Sequence, residues 1–243
     1  MRSSWFNAFS ALLVIVALSV FAVTPSLSAQ DQPNRTKFTP AEVSTASDIT
    51  YPINSGAAGV VIVAVHLDSA GRIKSTDVVR DVPSLTSPVL LSIPKWTFKP
   101  ATLDGKGIDS TMVVSVVFNP SDYRLTGSDT PALGKEMEGV SPDASNYLPP
   151  KTVASSWAEY PINSVAQGAV VLSARVNREG RVGRVTPVWG PFLTKTSTEA
   201  VKRWTFESAK LNGTPIGADV AIAYVYRPPN IAVPVRPYRP TTP

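Results

Sequence analysis

Few residues of this chain carry the side chains that catalysis or metal binding requires. The 243 residues include no cysteine, which excludes disulfides, thiolate metal ligands and cysteine nucleophiles, and they include a single histidine, His66. The sequence contains neither a glycine-rich phosphate loop nor a nucleophile elbow. We therefore expect no enzymatic activity, no cofactor and no metal.

The segments that must position any remaining polar groups occur twice. Tyr51 opens the pentapeptide Tyr-Pro-Ile-Asn-Ser, which recurs unchanged from Tyr160, 109 positions later. Further matches follow in nearly the same register: Gly59 with Gly168, Gly71-Arg72-Ile73 with Gly180-Arg181-Val182, Trp96-Thr97-Phe98 with Trp204-Thr205-Phe206, and Leu103-Asp104-Gly105 with Leu211-Asn212-Gly213. Internal duplication explains this series, and it predicts two homologous domains at residues 43–120 and 152–228.

The duplication weighs against acid–base chemistry by the aspartates of the first copy. Asp68, Asp77 and Asp104 correspond to uncharged residues in the second copy, namely Asn177, Thr186 and Asn212. His66 corresponds to Arg175 and is predicted on the more exposed sheet face, where a surface histidine is the expected role. A catalytic role confined to the first copy is the alternative.

The segments outside the two copies predict export and extended linkers. Residues 1–29 combine Arg2, a short apolar stretch and a small-residue cleavage site, so we expect a signal peptide cleaved after Ala29 and a periplasmic mature chain. The alternative is an inner-membrane anchor formed by residues 9–23. Residues 121–151 read as a linker, and residues 229–243 read as a proline-rich, basic, extended tail.

Each copy has the same predicted order of elements, β-β-α-β. β-Branched runs at 60–67 and 170–176 predict first strands, helices are expected near 87–96 and 196–204, and last strands are expected at 110–118 and 218–226. The fold class is therefore α+β, with two tandem domains that each pack a three-stranded antiparallel sheet on one helix. Trp96 and Trp204 are interpreted as core anchors rather than ligand platforms.

This series of residues resembles the C-terminal domain of TonB. The resemblance consists of Tyr-Pro, a glycine before a valine-rich strand, a Gly-Arg-aliphatic turn, Trp-x-Phe-x-x-Ala, and a glycine before the last strand. It implies a domain that reaches the outer membrane of Gram-negative bacteria and pairs in trans with a short peptide of a transporter by adding a strand. The family topology places the third strand at the free edge of the sheet.

We therefore expect an adaptor that binds extended segments of outer-membrane or periplasmic proteins, with a link to TonB-dependent transport left open. The predicted partner-binding residues lie on the third strands: Val114, Val116, Phe118, Ile222, Tyr224 and Tyr226. The alternative is a structural envelope protein held to an anionic polymer or surface by the basic second domain and tail, with a patch formed by Arg175, Arg178, Arg181 and Arg184. Nucleic acid is not an expected partner, and the oligomeric state stays open.

Overall fold

The computed structural model describes residues 37–120, 133, 140–143, 145–161 and 164–227. The predicted signal peptide and cleavage site, the alternative anchor, most of the predicted linker and the tail at 229–243 lie outside these residues. The described residues all fall in one unit of the chain. No helix among them is long and apolar enough to cross a membrane.

The first repeat contains eight strands and one short helix. Pro94 lies in a 3-10 turn directly after the helix, which ends at Ser92 because proline cannot donate the backbone hydrogen bond that a continuing helix needs. The elements are β1 (Phe38–Thr39), β2 (Glu42–Thr45), β3 (Gly59–Leu67), β4 (Ile73–Arg80), α1 (Thr86–Ser92), β5 (Thr97–Lys99), β6 (Ala101–Leu103), β7 (Lys106–Ile108) and β8 (Ser110–Phe118).

The second repeat has the same elements in the same order. Its helix begins two residues before the predicted start and ends at Val201. The elements are β9 (Tyr147–Leu148), β10 (Lys151–Ala154), β11 (Gly168–Val176), β12 (Val182–Trp189), α2 (Thr194–Val201), β13 (Thr205–Glu207), β14 (Ala209–Leu211), β15 (Thr214–Ile216) and β16 (Ala218–Tyr226).

The long strands of both repeats form one six-stranded sheet in the order β12-β11-β16-β8-β3-β4. Within each repeat the pairing is antiparallel, and the two triplets join through a parallel pairing of β16 with β8. In this pairing Ala221 lies opposite Val114 and Val225 lies opposite Phe118. The two copies therefore share one sheet, where the duplication alone predicted two separate domains.

The parallel junction places the two helices on opposite faces of the shared sheet. One core combines Val89 and Trp96 of the first repeat with Val171 and Ala223 of the second. The other core surrounds Trp204 and combines residues of α2 with Val60, Ile62 and Val113 of the first repeat. The strands near the centre are consequently buried on both faces, and this explains their near-continuous apolar sequence.

The leading segment of each repeat reaches the strands of the other repeat. Asp48, which follows β2, accepts a 2.8 Å hydrogen bond at Oδ1 from the backbone N–H of Ala169 at the start of β11. Asn119, which follows β8, donates from Nδ2 to the carbonyl oxygen of Ala158 at 2.8 Å and accepts from the Ala158 N–H at 3.1 Å. These contacts fasten each repeat to the other.

Three sequence predictions require correction. The region assigned to a linker contains β9 and the first residue of β10, because the second repeat begins with two short strands that pair with β14 and β13. Arg175 alternates along β11 with the core-facing residues and so shares the predicted more exposed face with Ala169, Val171 and Ser173, yet these three residues are buried because the sheet is covered on both sides. The third strands are not free edges but the two central strands of the sheet. The broader α+β assignment agrees with the described residues, which form a sheet-rich fold with two short α-helices.

Candidate functional site

The residues predicted to bind a partner line the junction between the repeats. Val114, Val116 and Phe118 belong to β8, whose two neighbours are β3 and β16. Ile222, Tyr224 and Tyr226 belong to β16, and all six side chains are buried. Strand addition at these backbones would require the repeats to separate, so this prediction lacks the free edge on which it depended.

Two aromatic residues predicted as anchors are confirmed in that role. Trp96 is 4% exposed and Trp204 is 1% exposed. The indole Nε1 of Trp96 donates to Ser92 Oγ at 3.1 Å, so its polar edge is satisfied inside the first core. Neither indole is available as a ligand platform.

The free edges of the shared sheet are β4 and β12. The chain carries an extra residue at Val79 and another at Lys74 relative to β3, so two bulges enclose a regular stretch from Ser75 to Val78. Such bulges protect an edge strand against indiscriminate pairing while leaving a short template between them. Sequence reasoning missed this edge because it judged each repeat as an isolated sheet.

The second edge strand, β12, is less suited to pairing. It carries an extra residue at Val188 and a wider irregularity at Gly183–Arg184. Between them lies Pro187, opposite Leu172, and proline has no N–H to offer to an added strand. The two edges are therefore not equivalent, although they occupy equivalent places in the two repeats.

A row of polar groups crosses the first repeat from β8 to β4. His66 Nδ1 lies 3.0 Å from Thr111 Oγ1, and His66 Nε2 lies 2.8 Å from Asp77 Oδ2. A cavity of about 360 Å³ lies beside the row and is also lined by residues 140–143. The His66 side chain is partly exposed, as the sequence predicted for this strand face.

The second repeat replaces this row with an ion pair at the same cross-strand positions. Arg175 occupies the place of His66 and donates to Asp219 Oδ2 at 2.7 Å. Burial raises the pKa of Asp219, and the neighbouring Arg175 opposes that shift. Both repeats therefore use a polar contact between their first and third strands at this level of the sheet, which is the pattern expected for cross-strand pairing.

The four arginines of the predicted anion-binding patch differ in whether they form an ion pair. Arg175 is held by Asp219, as described above. Arg178, Arg181 and Arg184 are exposed, and among the residues that the structure describes they form no ion pair with a carboxylate. In the first repeat, by contrast, Arg72 is paired with Asp68 at 2.7 Å. Unpaired cationic groups therefore concentrate on the second hairpin.

No group of three or more His, Cys, Asp or Glu side chains among the described residues is arranged to hold a metal ion. The geometry of this part of the chain instead offers two bulged sheet edges and a cationic hairpin. These features are typical of surfaces that contact macromolecules.

Comparison with known proteins agrees with this geometry for the first repeat. Residues 49–120 match the family described as Gram-negative bacterial TonB protein C-terminal. The matched residues span β3, β4, α1 and β8, and they include the free edge at β4. No curated protein and no solved structure was found to match the chain. The resemblance to TonB C-terminal domains is thus supported by a family match over residues 49–120.

Proposed function

We propose that this chain is a TonB-like binding protein of the Gram-negative envelope that recognises an extended protein segment by adding it as a strand to β4. The family match over residues 49–120 carries the proposal, because the resemblance implies strand pairing with a short peptide. The second repeat, on this view, is a diverged copy whose third strand occupies the edge that pairing would otherwise use.

The edge at β4 supports this assignment by its sequence and its exposure. Ser75 to Val78 contains no proline, and Asp77 and Val78 are exposed. An added strand would receive backbone hydrogen bonds from alternate residues of this stretch. The cavity beside His66 would accommodate one of its side chains, and pockets for alternate side chains supply specificity in this mode of recognition.

The proposal includes export to the periplasm and a protein partner from the periplasm or outer membrane. It assigns no catalytic role, and the replacement of the His66 row by an ion pair in the second repeat supports that choice. Recovery of an outer-membrane transporter as the partner would connect the chain to TonB-dependent transport. The signal peptide on which export depends lies outside the described residues.

Site-specific photocrosslinking in cells tests the proposal. A photoreactive amino acid is placed at Asp77 on β4 and, as the matched control, at the equivalent Thr186 on β12, since both residues are exposed. We expect an adduct with an envelope protein from position 77 and none from position 186. Equal adducts from both positions, or none from position 77, would contradict recognition at β4.

A proline series along β4 distinguishes backbone pairing from side-chain contact. Ser75, Thr76 and Val78 are replaced one at a time by proline and, as controls, by alanine, in the protein that carries the photoreactive amino acid at position 77. The N–H groups of alternate residues bond to β3, so proline should cost stability either at Ser75 or at both Thr76 and Val78, and the remaining proline variants should fold but lose the adduct. Folded proline variants that keep the adduct at the alanine level would exclude strand addition.

The second candidate is attachment to an anionic envelope polymer through the hairpin of the second repeat. The observation that favours it is the concentration of Arg178, Arg181 and Arg184 without carboxylate partners among the described residues. Replacing all three by glutamine should abolish sedimentation with an anionic polymer such as lipopolysaccharide, and added salt should weaken the wild-type interaction. Retention of the polymer by this variant would exclude the hairpin as the attachment site.

A further inference from the structure

Two exposed aromatic side chains lie three positions apart in the sequence at the end of β12. Trp189 is 44% exposed and Phe192 is 63% exposed, and Pro191 lies between them. Exposed large apolar side chains that occur together, unlike scattered ones, mark contact surfaces. The equivalent turn of the first repeat contains no aromatic residue, since it reads Arg80, Asp81, Val82 and Pro83.

The backbone around these aromatic residues is held in place. Gly190 has a φ of 89°, and a Cβ at this position would lie 2.3 Å from the carbonyl oxygen of Ala169. Leu193 has a φ of 57° immediately before α2, a conformation that costs energy for a residue with a branched side chain. Thr194 Oγ1 donates to the Gly190 carbonyl oxygen at 3.1 Å and closes the turn. The tertiary structure thus maintains a strained turn that presents the two rings.

A groove runs along this turn on both sides of Pro191. One part, of about 230 Å³, is lined by Trp189, Phe192 and Tyr226. A second part, of about 490 Å³, shares Pro191 and Leu193 with the first and adds charged side chains of both signs, namely Glu159, Glu199, Lys195 and Arg203. The groove is therefore an aromatic and proline surface with two carboxylates and two cationic groups at one end, where Glu199 is already paired with Lys202.

We propose that the proline-rich segment 228–243 docks in this groove of its own chain. The described chain leaves β16 at Arg227, directly after Tyr226, which lines the groove. The segment carries Tyr238, two arginines, Arg236 and Arg239, and six prolines, Pro228, Pro229, Pro234, Pro237, Pro240 and Pro243. At about 3.1 Å per residue a polyproline II segment of ten residues spans about 30 Å.

The chemistry of the segment complements that of the groove. Polyproline II ligands dock their rings against aromatic side chains at low entropic cost, because the helix is preformed. The arginines of the segment would meet the carboxylate of Glu159, for which the described residues provide no ion pair. Docking would cover Trp189 and Phe192, and it would make the groove unavailable to any other proline-rich ligand. This inference does not depend on strand addition at β4.

Removal of the segment and its return as a separate peptide test the proposal. The probe is a fluorescent synthetic peptide of residues 228–243, and the proteins are the full chain and a variant that ends at Arg227. We expect the shortened variant to bind the peptide at least about tenfold more tightly than the full chain, because the attached segment competes at high effective concentration. Acrylamide should quench the tryptophan fluorescence of the protein more strongly after the truncation, because Trp189 is then uncovered.

Two substitutions in the shortened variant locate the binding site. Trp189→Ala should weaken peptide binding by at least about tenfold, the loss typical of an aromatic hot spot. Leu91→Ala serves as the control, because Leu91 on α1 is 69% exposed and lies outside the groove. A peptide in which Arg236 and Arg239 are replaced by glutamate should bind less tightly.

Three results would overturn the inference. The first is failure of the correctly folded shortened variant to bind the peptide. The second is equal peptide binding by the Trp189→Ala and Leu91→Ala variants. The third is concentration-dependent dimerisation of the full chain that disappears on truncation, since this would assign the segment to the groove of a second copy. Unchanged melting temperatures of the two variants exclude unfolding as the cause of any loss.

Discussion

The indole Nε1 of Trp204 donates a 2.9 Å hydrogen bond to the hydroxyl of Tyr224, and both residues are fully buried. The same hydroxyl donates to the carbonyl oxygen of Ser156 at 2.8 Å. Burial raises the pKa of Tyr224, so the hydroxyl remains protonated at neutral pH and continues to serve as a donor. The Tyr224 hydroxyl therefore provides a hydrogen-bond partner both for Trp204, beyond the end of α2, and for the leading segment of the second repeat.

Tyr224→Phe should destabilise the protein by about 1–3 kcal/mol, because it leaves a buried indole N–H and a buried carbonyl oxygen without partners. Trp204→Ala should cost about 3–5 kcal/mol through loss of a large packed side chain. Urea denaturation measures both effects. A Tyr224→Phe variant as stable as the wild type would show that water satisfies these groups.

Asn119 fastens the end of β8 to the leading segment of the second repeat. Asn119→Ala removes both hydrogen bonds to Ala158 and leaves buried backbone groups unsatisfied, so we expect a loss of about 1–3 kcal/mol for each group. Asn119→Asp preserves the shape but opposes a carboxylate to the carbonyl oxygen of Ala158, and it should also destabilise. Chemical denaturation checks both, and a fully stable aspartate variant would contradict the assigned geometry.

The shared sheet predicts that the first repeat is incomplete alone. A fragment of residues 37–120 would expose the backbone edge of β8 and the buried side chains of Val60, Ile62 and Val113. We expect it to bind a hydrophobic dye and to self-associate, and to lose both properties when mixed with a fragment of residues 145–227. Light scattering and dye fluorescence provide the measurement. A monomeric first fragment that binds no dye would indicate independent domains.

Two glycines with similar backbone angles should respond differently to alanine. Gly180 has a φ of 75° and would place a Cβ 1.8 Å from the carbonyl oxygen of Phe206, whereas Gly213 has a φ of 78° with nothing within 4 Å. Gly213→Ala should cost about 1–2 kcal/mol through its left-handed conformation alone. Gly180→Ala must also displace β13, so its cost in thermal or urea unfolding should be clearly larger. Equal costs would show that β13 moves freely.

The buried carboxyl group of Asp143 should make the stability of the folded protein depend on pH. Its Oδ1 accepts backbone hydrogen bonds from Ser145 and Tyr147, while its Oδ2 is buried without a partner among the described residues. Burial raises the pKa of Asp143 above its ordinary value, so the folded state disfavours the carboxylate. The stability penalty is therefore absent below the ordinary pKa, grows as pH rises from the ordinary pKa to the raised one, and stays constant above it.

Asp143→Asn should accordingly raise the melting temperature at neutral pH, because the amide keeps an acceptor for the two N–H groups and carries no charge. The advantage should disappear near pH 3, where the aspartate is protonated in both states. Melting temperatures measured at both pH values check this. An advantage of the same size at both values would show that charge is not its cause.

The sequence by itself determined the repeated series of residues, the order of the long strands and the helix within each repeat, and the aromatic anchors, but not the short strands that precede β3 and β11 or follow the helices. Tyr51 and Tyr160 mark the same place in each repeat, and the alternation of apolar residues identified the long strands. The first helix was predicted near 87–96, and the structure ends it at Ser92, directly before the 3-10 turn that contains Pro94. These features depend on local chemistry and on repetition, both of which are readable from one chain.

Only the tertiary structure decided which sheet edges are free. An apolar strand such as β8 has the same sequence pattern whether its backbone edge faces solvent or pairs with β16. The pairing depends on residues that lie more than a hundred positions apart in the chain. The parallel junction buries both faces of the central strands, transfers the free edges to β4 and β12, and brings Trp189 beside Tyr226. Which strand pairs with which depends on contacts between distant parts of the chain, and the periodicity of side chains along one strand does not specify the neighbour.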